Sequence, residues 1–203
     1  MTGAFLDCER ILDGFLAQPT NALTSLAFVG VGAVVWRRPE RRWIAAALLA
    51  TGVGSFLFHG PMPPGAQWAH DVSLAWLLVA VGAFATRWAA WAGWPALLGI
   101  GATLWVVPAV ADPLAGIGAV LAIGGILWRR PTPRTWFALG LLGLGAVVGR
   151  MSSSEGPWCN PDTLFQGHGF WHLAAASAVV IWASETGPAS SDLRNVALGA
   201  TRN

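Results

Sequence analysis

The sequence predicts an all-α membrane protein, and two observations support that fold class. Of the 203 residues, 55% are hydrophobic and only 11% are charged. Apolar runs recur along nearly the whole chain, with lengths that suit a hydrocarbon core about 30 Å thick. We therefore expect one helical membrane domain over residues 1–186. Residues 187–203 form a Ser-, Gly- and Asn-rich segment, which we expect to be a disordered cytoplasmic tail.

Arginines, prolines and polar clusters divide the chain into seven apolar segments. The first follows an acidic start without a basic n-region or a cleavage site, so we expect a retained helix and not a signal peptide. The fifth and sixth are short for a bilayer, and each is expected to borrow flanking residues. Asp112 and Pro113 are interpreted as part of a loop before the fifth segment. The predicted transmembrane helices are 20–36, 43–59, 71–87, 91–110, 114–128, 134–149 and 167–184.

The distribution of arginine predicts the orientation. All twelve basic side chains are arginines, and ten of them fall in the loops after the first, third and fifth helices or in the tail. Because cytoplasmic loops are enriched in Lys and Arg, the N-terminus is expected outside and the C-terminus in the cytoplasm. An odd number of helices requires the same arrangement. The lysine-free, Ala-, Gly- and Arg-rich composition further predicts a bacterial inner membrane.

The charge balance also bears on the partners. The net charge of +2 is modest, and the topology accounts for the arginines, so no nucleic-acid partner is expected. Scattered glycines within apolar runs are typical of helix packing and do not form a nucleotide-binding pattern. The expected partners are therefore the lipid bilayer and a membrane lipid, and the sequence does not indicate an oligomeric state.

Three histidines lie at the predicted outer face. His59 ends the second helix, while His168 and His172 begin the seventh. The last two are four residues apart, which places both imidazoles on one helical face. An imidazole in a membrane segment is costly, so three at matching depth predict a shared metal ion. The alternative is a set of histidines that only hydrogen-bond between helices.

Two further polar residues fit a catalytic site beside such a metal. Three neutral imidazoles with water in the fourth position form a known catalytic zinc arrangement. Asp71, which opens the predicted third helix, would orient that water as a general base. Ser55 lies one turn before His59 on the same face and would stabilise an oxyanion. His70 is interpreted either as a loop residue or as a residue that supports the site, and not as a fourth ligand.

This set of residues resembles the alkaline ceramidases, which belong to a superfamily of seven-helix membrane hydrolases that includes the adiponectin and progestin receptor relatives. The resemblance extends over the whole order of the predicted helices. The motifs that carry it are Cys8-Glu9, Gly52-x-Gly54-Ser55-x-x-Phe58-His59, Asp71 and His168-x-x-x-His172.

The resemblance implies a zinc-dependent amidase. Zinc would be bound by His59, His168 and His172, with a water activated beside Asp71 and with Ser55 near the metal. The reaction would be hydrolysis of the ceramide amide to a sphingoid base and a fatty acid. Ceramide is scarce in many bacteria, so another N-acyl lipid is the alternative substrate.

The two cysteines are expected at the outer face. Cys8 precedes the first helix and Cys159 lies in the loop before the seventh. An oxidising exterior would let them pair and tie the N-terminus over the site, and the ceramidases likewise have a cysteine in their Cys-Glu motif. Free thiols or small core residues are the alternative.

The resemblance also implies a second cation. The ceramidases place a calcium ion near the acidic N-terminal motif, which would make Asp7, Glu9 and Asp13 candidate calcium ligands. Gln18 stands where the family pattern has an acidic residue, a departure that weakens the match. The alternative is a solvated acidic N-terminus.

Three classes of function are compatible with these residues. The first is an amidase acting on ceramide or a related N-acyl lipid. The second is a heptahelical receptor or regulatory protein that retains the zinc site with little turnover. The third is a transporter whose buried histidines carry a metal or protons, but the almost wholly apolar inner halves of the segments argue against it. The short tail and bare loops offer no obvious signalling module.

Overall fold

The structure is a computed structural model that describes residues 6–86 and 93–185. Seven α-helices and no β-strand occur in these two ranges, which confirms the predicted all-α class. Arg87 and the predicted tail, 187–203, lie outside the described residues. The helices are α1 (Pro19–Val35), α2 (Arg42–His59), α3 (Ala66–Thr86), α4 (Gly93–Val106), α5 (Ala111–Trp128), α6 (Pro133–Met151) and α7 (Gly167–Ser184).

Three helical segments are long and apolar enough to cross a membrane, namely Pro39–His59, Ala66–Thr86 and Pro108–Trp128. The helices α1 and α4 are apolar but shorter. Large apolar side chains on the outside of the bundle are strongly exposed, as in Val106 (76%) and Val120 (70%). Contiguous exposed apolar surface of this kind suits lipid better than water.

The start of α3 differs from the prediction. The helix begins at Ala66, after the turn 60–65, in which Gly65 has a positive φ of 84° that favours glycine. His70 and Asp71 therefore lie in the second turn of α3, and the interpretation of His70 as a loop residue is wrong. The polar side chains of this turn made it resemble a loop in sequence.

The start of α5 also lies earlier than predicted. Asp112 and Pro113 belong to the first helical turn and not to a loop. Proline is tolerated there because the first backbone N–H groups of a helix have no partner within it. The expectation that the fifth segment borrows flanking residues is confirmed.

The buried core is formed by residues of α1, α2, α3, α5 and α7. The helix α1 packs between α2 and α7, α3 packs on α2, α4 and α5, and α6 packs on α7. In the described part of the chain, no extensive packing joins α5 to α6. Side chains at the centre of this core include Phe28, Ile44, Leu48, Leu77 and Ala176.

Small residues allow α2 to approach both neighbours closely. A Cβ atom at Gly52 would lie 2.8 Å from the backbone nitrogen of Val29 in α1. A Cβ atom at Gly54 would lie 2.9 Å from the carbonyl oxygen of Ala69 in α3. These contacts agree with the expectation that glycines within apolar runs serve helix packing. They bring α1 and α3 beside the residues that follow, Ser55 and His59.

The segment before α1 is fastened to the loop between α6 and α7. Cys8 and Cys159 form the predicted disulfide, with their Cα atoms 5.4 Å apart. Asp7 pairs with Ser153 in an isolated antiparallel bridge. The Arg10 guanidinium donates to the Asp162 carboxylate at 2.8 Å. This segment therefore lies at the end of the bundle where α2 ends and α7 begins.

Candidate metal centre

The structure brings the three predicted histidine ligands together. His59 ends α2, and His168 and His172 lie in the first two turns of α7. One ring nitrogen of each histidine lies within 4.8 Å of the other two. The ring centroids of the two α7 histidines are 4.5 Å apart, and those of His59 and His168 are 4.9 Å apart. Such a group is suited to one shared cation.

Hydrogen bonds at the Nδ1 atoms assign the tautomers of two of these histidines. The Nδ1 atom of His59 lies 2.7 Å from the Gln18 side-chain carbonyl oxygen, which accepts but does not donate. The Nδ1 atom of His168 lies 3.0 Å from the Asp7 carboxylate. With the protons on Nδ1, both Nε2 atoms carry free lone pairs. Both are buried without a hydrogen-bond partner among the described residues.

The third histidine is oriented by α1. The Nδ1 atom of His172 lies 3.2 Å from the Thr24 hydroxyl oxygen. That hydroxyl donates its own proton to the carbonyl of Thr20 at 2.7 Å, so its oxygen accepts from His172. All three imidazoles can thus keep an unprotonated Nε2, and one ring nitrogen of each lies within 4.8 Å of the other two. A buried acceptor without a partner is costly, and a metal ion would satisfy it. The residues present therefore fit a bound metal ion.

Ser55 lies where the sequence predicted it, next to the histidines. Its hydroxyl is 1% exposed and lies 3.3 Å from His172 Nε2. The hydroxyl oxygens of Ser55 and Ser25 are 2.8 Å apart. Ser25 donates to the carbonyl of Asn21 at 2.7 Å, which leaves its oxygen free to accept from Ser55. Ser55 is therefore held at the edge of the cluster.

The structure does not place Asp71 in contact with the three histidines. Its carboxylate pairs with His70 Nδ1 at 2.8 Å. The His70 ring stacks on Phe58, and its centroid lies 6.1 Å from that of His59. Asp71 is thus connected to the cluster through His70. The geometry agrees with His70 as a supporting residue, because His70 is absent from the group of candidate ligands.

The predicted calcium ligands occupy three separate environments. Asp7 faces the histidines, and its second carboxylate oxygen lies 3.8 Å from His59 Nδ1. Burial raises the pKa of Asp7 to about 7, and the nearby His70 opposes this shift. Glu9 accepts from the first free N–H groups of α1, at 2.7 and 2.8 Å, and acts as a helix cap. Asp13 is exposed.

These placements bear on the predicted calcium ligands. Among residues 6–86 and 93–185, the three histidines are the only group of three such ligand side chains with donor atoms within 4.8 Å. The structure therefore does not bring Asp7, Glu9 and Asp13 together. Asp7 is a partner of the histidines, and Glu9 stabilises the start of α1.

The sequence analysis missed the face of α1 that contacts the histidines. Gln18, Asn21 and Ser25 are fully buried and are spaced three or four residues apart, so they share one face. The Asn21 amide has no hydrogen-bond partner among the described residues. The available signal was a polar stripe in an otherwise apolar segment, formed by Gln18, Asn21, Thr24 and Ser25.

Comparisons of the chain with protein-family models, with curated protein sequences and with solved structures find no significant match. The resemblance to the alkaline ceramidases accordingly rests on the motifs described above.

Proposed function

We propose that the protein is a zinc-dependent intramembrane amidase that hydrolyses ceramide or a related N-acyl lipid. The products would be a sphingoid base, or another amine, and a free fatty acid. The observation that supports this proposal is the convergence of His59, His168 and His172, with each Nδ1 bound by a neighbour. The Nε2 atoms of His59 and His168 have no hydrogen-bond partner among the described residues. Three imidazole ligands leave one position of a tetrahedral zinc site for water or substrate.

Few residues would carry out the proposed hydrolysis. Zinc, when bound, would polarise the amide carbonyl and lower the pKa of a bound water. The Ser55 hydroxyl beside His172 would turn its proton from Ser25 to the carbonyl oxygen as negative charge develops on that oxygen. The buried Asn21 amide, which lacks a partner among the described residues, is a second donor of the same kind.

Proton transfer would use the pair formed by His70 and Asp71. Asp71 holds the Nδ1 proton of His70, which leaves the other ring nitrogen to accept a proton from the attacking water. The water oxygen bonds to the amide carbon, the C–N bond breaks, and the same proton passes to the leaving amine. In this proposal His70 takes the place of Asp71 as the general base, and Asp71 orients His70 instead of the water.

A lipid substrate fits the surroundings of the site. The helices α5 and α6 are not extensively packed together in the described ranges, and their outer side chains are strongly exposed, as in Leu121 (67%) and Phe137 (65%). Acyl chains could occupy such a surface while the amide reaches the histidines. Both product tails would then stay in the bilayer.

We also propose seven transmembrane helices, with the site near the outer face of a bacterial inner membrane. The Cys8–Cys159 disulfide lies at the same end of the bundle as the histidines. Disulfides persist in oxidising compartments, which favours an external location for that end. The arginine distribution supports the same orientation, with the N-terminus outside and the C-terminus in the cytoplasm.

A receptor or regulatory protein is the second candidate function. The observation that favours it is the contact of Asp71 with His70 instead of with the three histidines. A protein whose carboxylate does not contact the metal ligands could bind a metal and still catalyse little hydrolysis. In that case the protein would hold zinc but would not hydrolyse N-acyl lipids.

The test uses purified protein in detergent micelles, with metal analysis and mass spectrometry of fatty acid released from ceramides and other N-acyl lipids. We expect about one zinc per chain and release of fatty acid. His172→Ala should lose both, whereas Asp71→Asn should keep zinc and lose turnover by about 10²–10⁴-fold. The exposed Asp112→Asn is the matched control.

The outcomes separate the candidate functions. Zinc without turnover on any N-acyl lipid would favour the receptor. A folded protein that binds no zinc would contradict both. Retention of full turnover by Asp71→Asn would remove Asp71 from the proposed chemistry.

A further inference from the structure

We propose that Asp7 is a positioning residue for His168 and that the Cys8–Cys159 disulfide keeps it there, so that metal retention depends on the oxidation state of this disulfide. The inference rests on the metal site of the proposed function but not on hydrolysis. It concerns how the site is completed and under which conditions it is stable.

The three histidines differ in what holds them. His59 and His172 are oriented by Gln18 and by Thr24, which lie at or near the start of α1. His168 instead depends on Asp7, whose carboxylate oxygen is 3.0 Å from its Nδ1 atom. No other hydrogen bond reaches the His168 ring in the described part of the chain. One of the three candidate ligands is thus oriented from outside the helical bundle.

Few contacts hold the Asp7 backbone itself. The Ser154 hydroxyl donates to the Asp7 carbonyl at 3.1 Å, and the Ser154 backbone N–H donates to the carbonyl of Leu6 at 2.9 Å. Each of these hydrogen bonds contributes little net stability, because water competes for the same groups at an exposed position. These contacts alone would hold Asp7 weakly.

The disulfide adds a covalent constraint next to this position. Cys8 follows Asp7 directly, and its partner Cys159 is 151 residues away in sequence. Cross-linking distant positions raises the effective concentration of the joined segments. On the other side of Cys8, Glu9 is bound to the start of α1. Reduction should therefore loosen Asp7 without releasing the whole segment, and its effect should be smaller than removal of the carboxylate.

The first test compares Asp7→Ala and Asp7→Asn in the purified full-length protein, with zinc affinity measured by competition with a chelator. Loss of an outer hydrogen-bond partner typically weakens a histidine metal site by about 10–100-fold, and we expect a loss in this range for Asp7→Ala. Asp7→Asn keeps an oxygen that accepts from His168, so it should retain more affinity. Glu155→Ala removes an exposed carboxylate from the neighbouring loop and serves as the control.

The second test measures zinc retention in the same variants with the disulfide oxidised or reduced. Reduction with a phosphine, or Cys159→Ser, should weaken zinc retention in the wild-type background but should add little to Asp7→Ala, because both changes act through one contact. Circular dichroism checks that each protein keeps its helices, and the reduced wild-type protein replaces Cys159→Ser if that variant does not fold.

Two results would overturn the inference. Unchanged zinc affinity in Asp7→Ala would show that Asp7 does not position His168. An equal effect of reduction on the wild type and on Asp7→Ala would show that the disulfide does not act through Asp7. Fatty acid release distinguishes this inference from the proposed function. Asp7-dependent zinc binding without hydrolysis would contradict only the amidase, whereas hydrolysis with Asp7-independent zinc binding would contradict only this inference.

Discussion

At the scale of single residues, the acceptors at Nδ1 decide what the histidines can bind. Gln18, Asp7 and Thr24 each place an oxygen 2.7–3.2 Å from one Nδ1 atom. The proton is thereby kept on the outer nitrogen, which leaves the inner nitrogen free to bind a metal ion. Metal binding at this site would thus depend on these three acceptors as well as on the histidines.

Gln18 provides a direct test of this reasoning. Gln18→Ala removes the acceptor for His59 and should weaken zinc binding by about 10–100-fold. Gln18→Glu keeps an oxygen at the same distance and should retain affinity closer to the wild type. The measurement is chelator competition on purified protein.

The control for Gln18 is Gln67→Ala, because the Gln67 amide makes no hydrogen bond within the described residues. Equal zinc affinity in Gln18→Ala and Gln67→Ala would show that tautomer control by Gln18 is not needed.

The sequence predicted part of this site because helical spacing is local information. His168 and His172 share a face by their spacing alone, and Ser55 and His59 do so in α2. The role of Asp7 was missed, because it depends on the folding of the N-terminal segment against a loop about 150 residues away. A contact between positions so far apart leaves no periodic pattern in the sequence.

At the scale of elements, close packing of α2 places its polar end against α1. Gly52 meets the backbone of α1, where no side-chain rotation can relieve a clash. The contacts from Ser25 to Ser55 and from Gln18 to His59 cross this same interface. The separation of these two helices should therefore affect both stability and metal binding.

Substitution of Gly52 tests this dependence. Gly52→Ala places a Cβ atom 2.6 Å from a Val29 methyl group and 2.8 Å from its backbone nitrogen. Such overpacking should lower the free energy of unfolding by about 1–3 kcal/mol and should weaken zinc binding. The measurements are thermal unfolding in detergent and chelator competition.

Gly30→Ala in α1 is the matched control, because a Cβ atom there meets nothing within 4 Å. It should leave stability unchanged or slightly higher, since alanine favours the helix. If the two variants unfold at the same temperature, α1 and α2 do not approach as closely as described.

Helix boundaries were predictable where proline or charge interrupts an apolar run, as at Pro19 and at Pro133. The start of α3 was not, because Gln67 and His70 make its first turns polar. Only the positive φ of Gly65 and the packing of Ala66 in the bundle show that the helix begins there.

At the scale of the whole molecule, the composition predicted an all-helical chain. Seven helices are present in the described ranges, and three segments meet the length and hydropathy expected of membrane-crossing helices. Polar residues such as His168 and His172 make the start of α7 more polar than a typical membrane segment. Hydropathy alone therefore does not establish all seven crossings.

The proposed orientation has a measurable consequence. A green fluorescent protein fused to the C-terminus should fluoresce, and alkaline phosphatase fused there should be inactive, because the C-terminus is proposed to be cytoplasmic. Insertion of one additional transmembrane helix before either reporter should reverse both signals. Active phosphatase on the unmodified C-terminus would invert the proposed topology and place the histidines at the inner face.

The most direct test of the central claim is X-ray absorption at the zinc K-edge on purified, zinc-loaded protein. We expect nitrogen or oxygen neighbours at about 2.0–2.1 Å and outer-shell scattering from three imidazoles. In His172→Ala, either that scattering should fall to two imidazoles or zinc should be lost. A spectrum without imidazole scattering, or one that His172→Ala leaves unchanged, would contradict a metal centre formed by His59, His168 and His172.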